Sequence, residues 1–350
     1  MKREAFEKGF LMKLIRTEDA VGQVLCHDMT QIIPGQYKDA RFRKGHIVTA
    51  EDIPVLLSMG KENLYIFELG EGQLHENDAA ERMCALCLNE GMSRGEVKEG
   101  KIEIFAESDG LFRVDRERLN AVNAIDELMI ATRHGDTAVH AGDKLAGTRV
   151  IPLVIDEQKL IKAEKIVNGK PLLKLLPYRL RRAGVVTTGS EVYHGRIEDK
   201  FTPVIERKLS AYGIAMTEHM VVDDGLDNIK AAIDRLRGTD VELILCTGGM
   251  SVDPDDNTPG AIRASGARIV TYGAPVLPGA MFLLGYFDDG RPIMGLPGCV
   301  MYARATIFDI ALPRVAAGVE LTRSDFTTLG EGGLCLGCQP CTYPNCGFGK

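Results

Sequence analysis

A glycine pair at the end of an apolar run, followed by three carboxylates, is the sharpest chemical feature of this sequence. The stretch LCTGGMSVDPDDNTPGAI, residues 245–262, has Gly248 and Gly249 where a strand gives way to a loop. Asp253, Asp255 and Asp256 then come before any basic residue, the first being Arg263. Side-chain-poor turns offer backbone N–H groups to anions such as phosphate. Carboxylates beside a phosphate repel it unless something intervenes. A Mg2+ held by one or two carboxylates plus phosphate oxygens would intervene. Alternatively the carboxylates face another part of the ligand and accept from a ring N–H beside an amino group, as on an amino-pyrimidinone edge. The bland alternative makes Asp253 and Asp255 solvated loop acids and Asp256 a cap for the helix that Thr258 and Pro259 open.

The pattern occurs twice more, in TTGSE (Thr187–Glu191) and GLPG (Gly295–Gly298). One such turn is usually a plain connection. Three at the carboxyl ends of parallel strands would face one crevice, where open α/β sheets bind ligands. The candidate lining is Gly189, Gly248, Gly249, Pro297 and Gly298 as backbone cradle, with Thr188, Ser190 and Ser251 as hydroxyl donors. Glu191 and Thr258 stand at the helix starts beside them, and Asp256 serves as catalytic acid or Mg2+ ligand.

Four of the nine cysteines crowd the C-terminus: Cys335, Cys338, Cys341 and Cys346, spaced C-x2-C-x2-C-x4-C among Gly337, Pro340, Pro344 and Gly347. Thiolates this close repel one another unless a cation neutralises them. Zinc ribbons use two separated C-x2-C pairs, whereas a crowded triple resembles iron–sulfur spacing, without the Cys-Pro finish of ferredoxins. A metal site of iron–sulfur or Zn2+ type is expected, against the alternative of an unmetallated flexible end. Cys84 and Cys87 fall on the apolar stripe of a helix and read as packing groups, as do Cys26, Cys246 and Cys299; His194 reads as a solvated loop residue.

The elements that must position these groups follow from periodicity. Residues 183–189 and VELILCTGG are apolar runs suited to strands buried on both faces. Phe201, Val204, Ile205, Leu209 and Tyr212 mark one helix; Leu226, Ile229, Ile233 and Leu236 mark a second. IAMTEHMVV, ARIVTYG, MFLLGYF and RPIMGL supply strands, and CVMYARATIFDIAL reads as a helix stopped by Pro313. Alternating strands and helices predict a three-layer α/β/α domain with a mainly parallel sheet over 181–318. Before it lie an N-terminal α+β unit (1–75) and a helix plus β-rich unit (76–180), and after it the Cys-rich tail (319–350). In the second unit Asp78 is expected to cap a helix with Glu81. KIEIFAESDGLFRVD is expected to hold two strands about an Asp-Gly turn, and KIVNGKPLLKLLP further strand.

Charged residues form 26% and hydrophobic residues 45% of the 350-residue chain, the balance of a globular protein that needs no disulfide staples. A net charge of −7 argues against a whole-molecule basic footprint for nucleic acid. The scattered charges of MKREAFEKGFLMKLIRTEDA argue against a signal peptide, and no stretch approaches a membrane span. A cytoplasmic location with free thiols is expected.

TTGSEV, CTGGMSVDPDDNTPGAI, PVLPGAMFLLG and GLPGCVMYA resemble, in order and spacing, the motif series of the molybdopterin-binding domain over about residues 180–315. That domain occurs in molybdopterin molybdenumtransferases, molybdopterin adenylyltransferases and gephyrin. EDAVGQVLCHDMT (18–30) is similar to the opening of the molybdenumtransferase type. The resemblance implies that the ligand is molybdopterin, a phosphorylated pterin with a dithiolene, or its adenylylated form. It further implies Mg2+, molybdate insertion, a homodimer and a molybdoenzyme recipient, with the family's D-x-T aspartate at Asp256. Three positions depart from the family pattern: Ser190 for an aspartate, Ala280 for a lysine, and Cys299 within what is usually Gly-Asn-Pro. These departures leave open a non-catalytic cofactor carrier or accessory factor, or a nucleotide-processing enzyme of the same fold, like the competence-damage-inducible proteins.

Overall fold

The computed structural model describes residues 12–33, 37–67, 70–251, 253 and 256–350. A six-stranded sheet is the frame of the C-terminal domain. Its strands are β1 (Arg182–Thr188), β2 (Ala215–Val222), β3 (Leu243–Thr247), β4 (Arg268–Tyr272), β5 (Leu283–Tyr286) and β6 (Pro292–Leu296), in the order β2-β1-β3-β6-β5-β4. β2, β1, β3 and β6 run parallel, and β5 is antiparallel to both its neighbours. Every residue of β3 is buried, as its unbroken apolar run requires for a strand covered on both faces.

The helices are α1 (Ser190–Tyr193), α2 (Thr202–Ser210), α3 (Leu226–Arg237), α4 (Thr258–Ala264) and α5 (Ile307–Ala316). Ile205 and Leu209 of α2 and Phe308 and Leu312 of α5 pack with Val185 and Leu245 on one face of the sheet. Ile229, Ile233 and Leu236 of α3 and Ile262 of α4 pack with Val186 and Ile244 on the other. Neighbouring strand residues point to opposite faces, so the strand pairs Val185/Val186 and Ile244/Leu245 each feed both cores. The three-layer arrangement is as expected.

Smaller β-rich units precede it. Helix Asp52–Ser58 covers a three-stranded sheet around Leu25, Leu56, Leu64 and Ile66. Helices Glu76–Ala85 and Glu157–Val167 join the core of a second unit, where Cys84 and Cys87 are buried packing groups. Burial pushes the Cys87 thiol up to about 12.

Local details differ from expectation for identifiable reasons. Asp78 lies inside the first turn of its helix, and the cap is His75, whose Nδ1 accepts from the Asn77 N–H at 3.2 Å. Burial lowers the His75 pKa, keeping the ring neutral with a lone pair to offer. Lys101–Ala106 and Gly110–Val114 are strands of different sheets, so the Asp-Gly turn does not close a hairpin between them. Residues 165–167 end the helix Glu157–Val167. Asp156 caps it by accepting from the Gln158 N–H, and Asn168 closes it in the left-handed region. Pro313 sits within α5 rather than stopping it, and the preceding residues Gly298–Met301 make a single 3-10 turn.

Candidate functional site

β1, β3 and β6 end level with one another: Thr187 pairs with Thr247, and Thr247 with Leu296. The three glycine turns therefore emerge side by side. Two adjoining hollows lie there and share Phe201, Gly248 and Met301 as walls. One, of about 480 Å3, is lined by Gly249, Ser251, Asp253, Asp256, Pro297, Gly298 and Cys299 among others. The other, of about 580 Å3, takes in Thr187, Thr188, Asp199 and Lys200. Among the described residues, Lys200 is the one basic side chain lining either.

Gly248 and Gly249 have φ of +84° and +53°. A Cβ on Gly248 would lie 2.3 Å from the Thr188 carbonyl oxygen, so only glycine lets the β3 turn rest against the end of β1. Thr258 secures the loop from beneath. Its hydroxyl donates to the Gly248 carbonyl at 2.8 Å and its N–H to the Gly249 carbonyl at 3.2 Å. It is fully buried, and the cap position of α4 is Asn257. From β4, the Tyr272 hydroxyl donates to the Met250 carbonyl at 3.3 Å, with the Arg263 guanidinium 5.3 Å from its ring centroid.

The acids of this loop brace each other. The Asp256 carboxylate accepts from the Asp253 N–H at 3.2 Å, and the Asp256 N–H donates to the Asp253 carbonyl at 3.0 Å. α4 has no side-chain cap, so Asp256 does not serve as one. Asp255 lies outside the described residues.

The first turn is built differently from expectation. Gly189, Ser190 and Glu191 are absent from the lining of both hollows. The Ser190 hydroxyl donates to Asp223 Oδ1 at 2.6 Å and its N–H to Asp224 Oδ2 at 2.7 Å. That hydroxyl bond is the largest cause holding the Asp223 carboxyl below its ordinary value. The Asp224 carbonyl in turn accepts from Asn257 Nδ2 at 3.0 Å, tying the first turn to the second loop. Sequence reasoning passed over Asp223 and Asp224, although an acid pair at the carboxyl end of a parallel strand was a usable signal. Lys200 and His219 were also passed over. His219 Nε2 lies 2.9 Å from Thr187 Oγ1 and 3.2 Å from Thr202 Oγ1. Asp199 accepts from the Thr202 hydroxyl and from the N–H groups of Phe201 and Thr202.

α1 spans four residues and the Gly298 turn is a 3-10 turn, so helix dipoles contribute little here. An anion placed in this crevice would meet loop amides, hydroxyls and Lys200. Burial raises the Cys299 thiol, as suits a packing group, and His194 is exposed.

Among the described residues, no three His, Cys, Asp or Glu side chains are gathered into a metal-ligand set. The four tail cysteines do line a single hollow of about 250 Å3.

A three-layer α/β domain with two glycine turns, at Gly248–Gly249 and Gly298, meeting in one acid-bearing crevice belongs to the ligand-binding class of open sheets. Residues 184–317 match the family described as a probable molybdopterin binding domain, so this part of the chain is a domain of that family. Residues 14–68 match a domain of unknown function (DUF8806). A CinA-like protein of Syntrophus aciditrophicus (strain SB) is 35% identical over 89 residues, 25% of this chain and 21% of the relative. A CinA-like protein of Mycobacterium marinum is 34% identical over 77 residues, 22% of this chain and 18% of the relative. The chain thus spans about a fifth of the length of the curated relatives it matches. Among solved structures, the MoaB molybdopterin biosynthesis enzyme of Thermus thermophilus has 21% identity and a TM-score of 0.33, covering 40% of this chain and 98% of its own. CinA of Thermoplasma acidophilum has 20% identity and a TM-score of 0.33, covering 39% and 98%. No helix among the described residues is long and apolar enough to cross a membrane.

Proposed function

We propose that the crevice binds molybdopterin or its adenylylated form, and that the chain acts in molybdenum cofactor biosynthesis as a molybdenumtransferase-like enzyme. The observation that carries this reading is the meeting of Gly249, Gly298, Asp253 and Asp256 in one hollow of a domain of the molybdopterin-binding family. The ligand phosphate lies against the Gly248–Ser251 turn with the Thr188 hydroxyl beside it. Asp256, fixed by its exchange of hydrogen bonds with Asp253, would act as acid or help to hold a Mg2+. Such a cation would supply the positive charge that offsets repulsion between the loop acids and the phosphate. Molybdate is placed on the dithiolene as the nucleotide is displaced, and Lys200 adds a positive charge that Ala280 does not supply. The protein works as a cytoplasmic homodimer that hands its product to a molybdoenzyme, and its tail cysteines hold an iron–sulfur or Zn2+ centre.

The test is molybdate- and Mg2+-dependent release of AMP from adenylylated molybdopterin by the purified full chain. Turnover that Asp256→Asn removes, with ligand affinity kept, supports the enzyme reading. Tight binding without turnover would instead support a cofactor carrier, the reading favoured by the engagement of Ser190 with Asp223 and Asp224 and by Ala280 in the crevice wall. A co-purified nucleotide without pterin would favour a nucleotide-processing enzyme, in line with the CinA-like relatives.

A further inference from the structure

We propose that Cys335, Cys338, Cys341 and Cys346 together hold one iron–sulfur cluster, and that loading it clamps the third turn of the crevice. This rests on reading the tail as a metal site and makes it specific. All four thiols line one hollow, and the other walls include Leu334, Tyr343 and Phe348. No carboxylate or imidazole shares that lining. Four thiols with no carboxylate beside them select soft metals and iron–sulfur clusters over Mg2+ or Ca2+. The crowded C-x2-C-x2-C-x4-C spacing, in place of two separated C-x2-C pairs, favours a cluster over a single Zn2+.

The tail is anchored on both sides of the cysteines. The Leu277 N–H donates to the Gly333 carbonyl and the Cys335 N–H to the Leu277 carbonyl, each at 2.8 Å. After the last cysteine, the Gly349 N–H donates to the Gly332 carbonyl at 2.9 Å, and Phe348 is buried in the domain core. The cysteines therefore sit in a loop whose ends are already held together, which removes much of the entropy cost of gathering them. Cys338 is exposed, leaving a route for metal entry.

The same anchor reaches the crevice. Leu277, bonded to the tail on both its N–H and its carbonyl, is two residues before Gly279, which lines the 480 Å3 hollow with Ala280 and Gly298. The sulfurs line their hollow without yet converging on one point. A cluster bridging the four sulfurs would fix the 335–346 loop and so slow the opening of the Gly333–Leu277–Cys335 bonds that already hold Leu277.

The test is anaerobic reconstitution of the full chain with ferric and ferrous iron and sulfide, the ferric iron supplying the oxidising equivalents, read by iron and sulfide content, visible absorption, and hydrogen exchange over residues 274–282. Expected are one cluster per chain and exchange slowed about tenfold in that segment on loading. Both are lost in Cys338→Ser and Cys346→Ser and kept in Cys26→Ala. Cys338 is exposed, so a thermal melt like the parent's shows that its variant is folded. No cluster uptake, a single zinc ion in its place, or full uptake by folded Cys338→Ser overturns the site. Uptake with unchanged exchange over 274–282 overturns the clamp. Neither readout involves pterin, so failure of molybdopterin binding and failure of this inference are seen separately.

Discussion

The Tyr343 hydroxyl donates a 2.9 Å hydrogen bond to the backbone carbonyl of Asp309. That carbonyl would normally be served by the N–H four residues on, but the residue there is Pro313, which has none. The C-terminal tail thus satisfies a polar group that a proline leaves orphaned inside α5. Helix and tail complete each other across a long separation in sequence.

Tyr343→Phe should therefore destabilise the domain by about 1–2 kcal/mol, the cost of a lost hydrogen bond and an unpaired carbonyl. In a Pro313→Ala background the restored N–H serves Asp309, and the same change should cost less by about 0.5 kcal/mol or more. Urea unfolding of the four proteins gives the coupling. Equal costs in both backgrounds would show that the tail bond does not compensate the proline.

Two glycines of the crevice separate fold from binding. Alanine at Gly248 meets a carbonyl oxygen at 2.3 Å and must adopt φ near +84°. It should cost about 3 kcal/mol or more, through left-handed strain and a clash with backbone. Gly298 has nothing within 4 Å of the added Cβ. Gly298→Ala should melt within about 0.5 kcal/mol of the parent, yet weaken ligand binding because the methyl group occupies the crevice wall. Calorimetric melting and equilibrium titration with molybdopterin check the pair.

Asp309 carries a second duty. Its carboxylate accepts from the Thr306 N–H at 2.8 Å at the start of α5 and pairs with Lys208 of α2. The two side chains of the pair are 11% and 13% exposed, so the charges are largely out of water. Lys208→Met should cost about 3 kcal/mol, mostly by stranding the carboxylate. Adding Asp309→Asn removes that stranded charge and keeps an acceptor for Thr306, so the double variant should be more stable than Lys208→Met alone. Chemical denaturation of the three variants decides the order.

The α/β frame was legible because β3 and the helix stripes are long, periodic signals, and the glycine turns fall at strand ends where ligand crevices form. What escaped were contacts set by tertiary neighbours. Ser190 looks like a phosphate donor until Asp223 and Asp224 arrive from the adjacent strand. Pro313 looks like a helix stop until Tyr343 serves the carbonyl it abandons. His75 rather than Asp78 is the cap because the helix begins at Glu76, which puts Asp78 inside the first turn. The first two misses involve polar groups whose partners are distant in sequence, and the third turns on where a helix begins.

The crevice wall should also register pH. Burial alone would raise the Asp199 carboxyl, but bonds from the Thr202 hydroxyl and from the Thr202 and Phe201 N–H groups, with His219 nearby, together hold it below its ordinary value of 3.8. A carboxyl depressed on folding contributes stability that is complete above its unfolded pKa and is lost as pH falls through the folded value. The parent should therefore lose urea resistance progressively between about pH 5 and pH 2. Glu103, set down to about 2 by the Lys101 and Lys144 ammonium groups, titrates over the same range, so the informative quantity is the difference from a variant. Asp199→Asn should have a lower urea midpoint at neutral pH and a shallower fall on acidification. A variant whose midpoint tracks the parent's at every pH would show that this network does not stabilise the wall of the crevice.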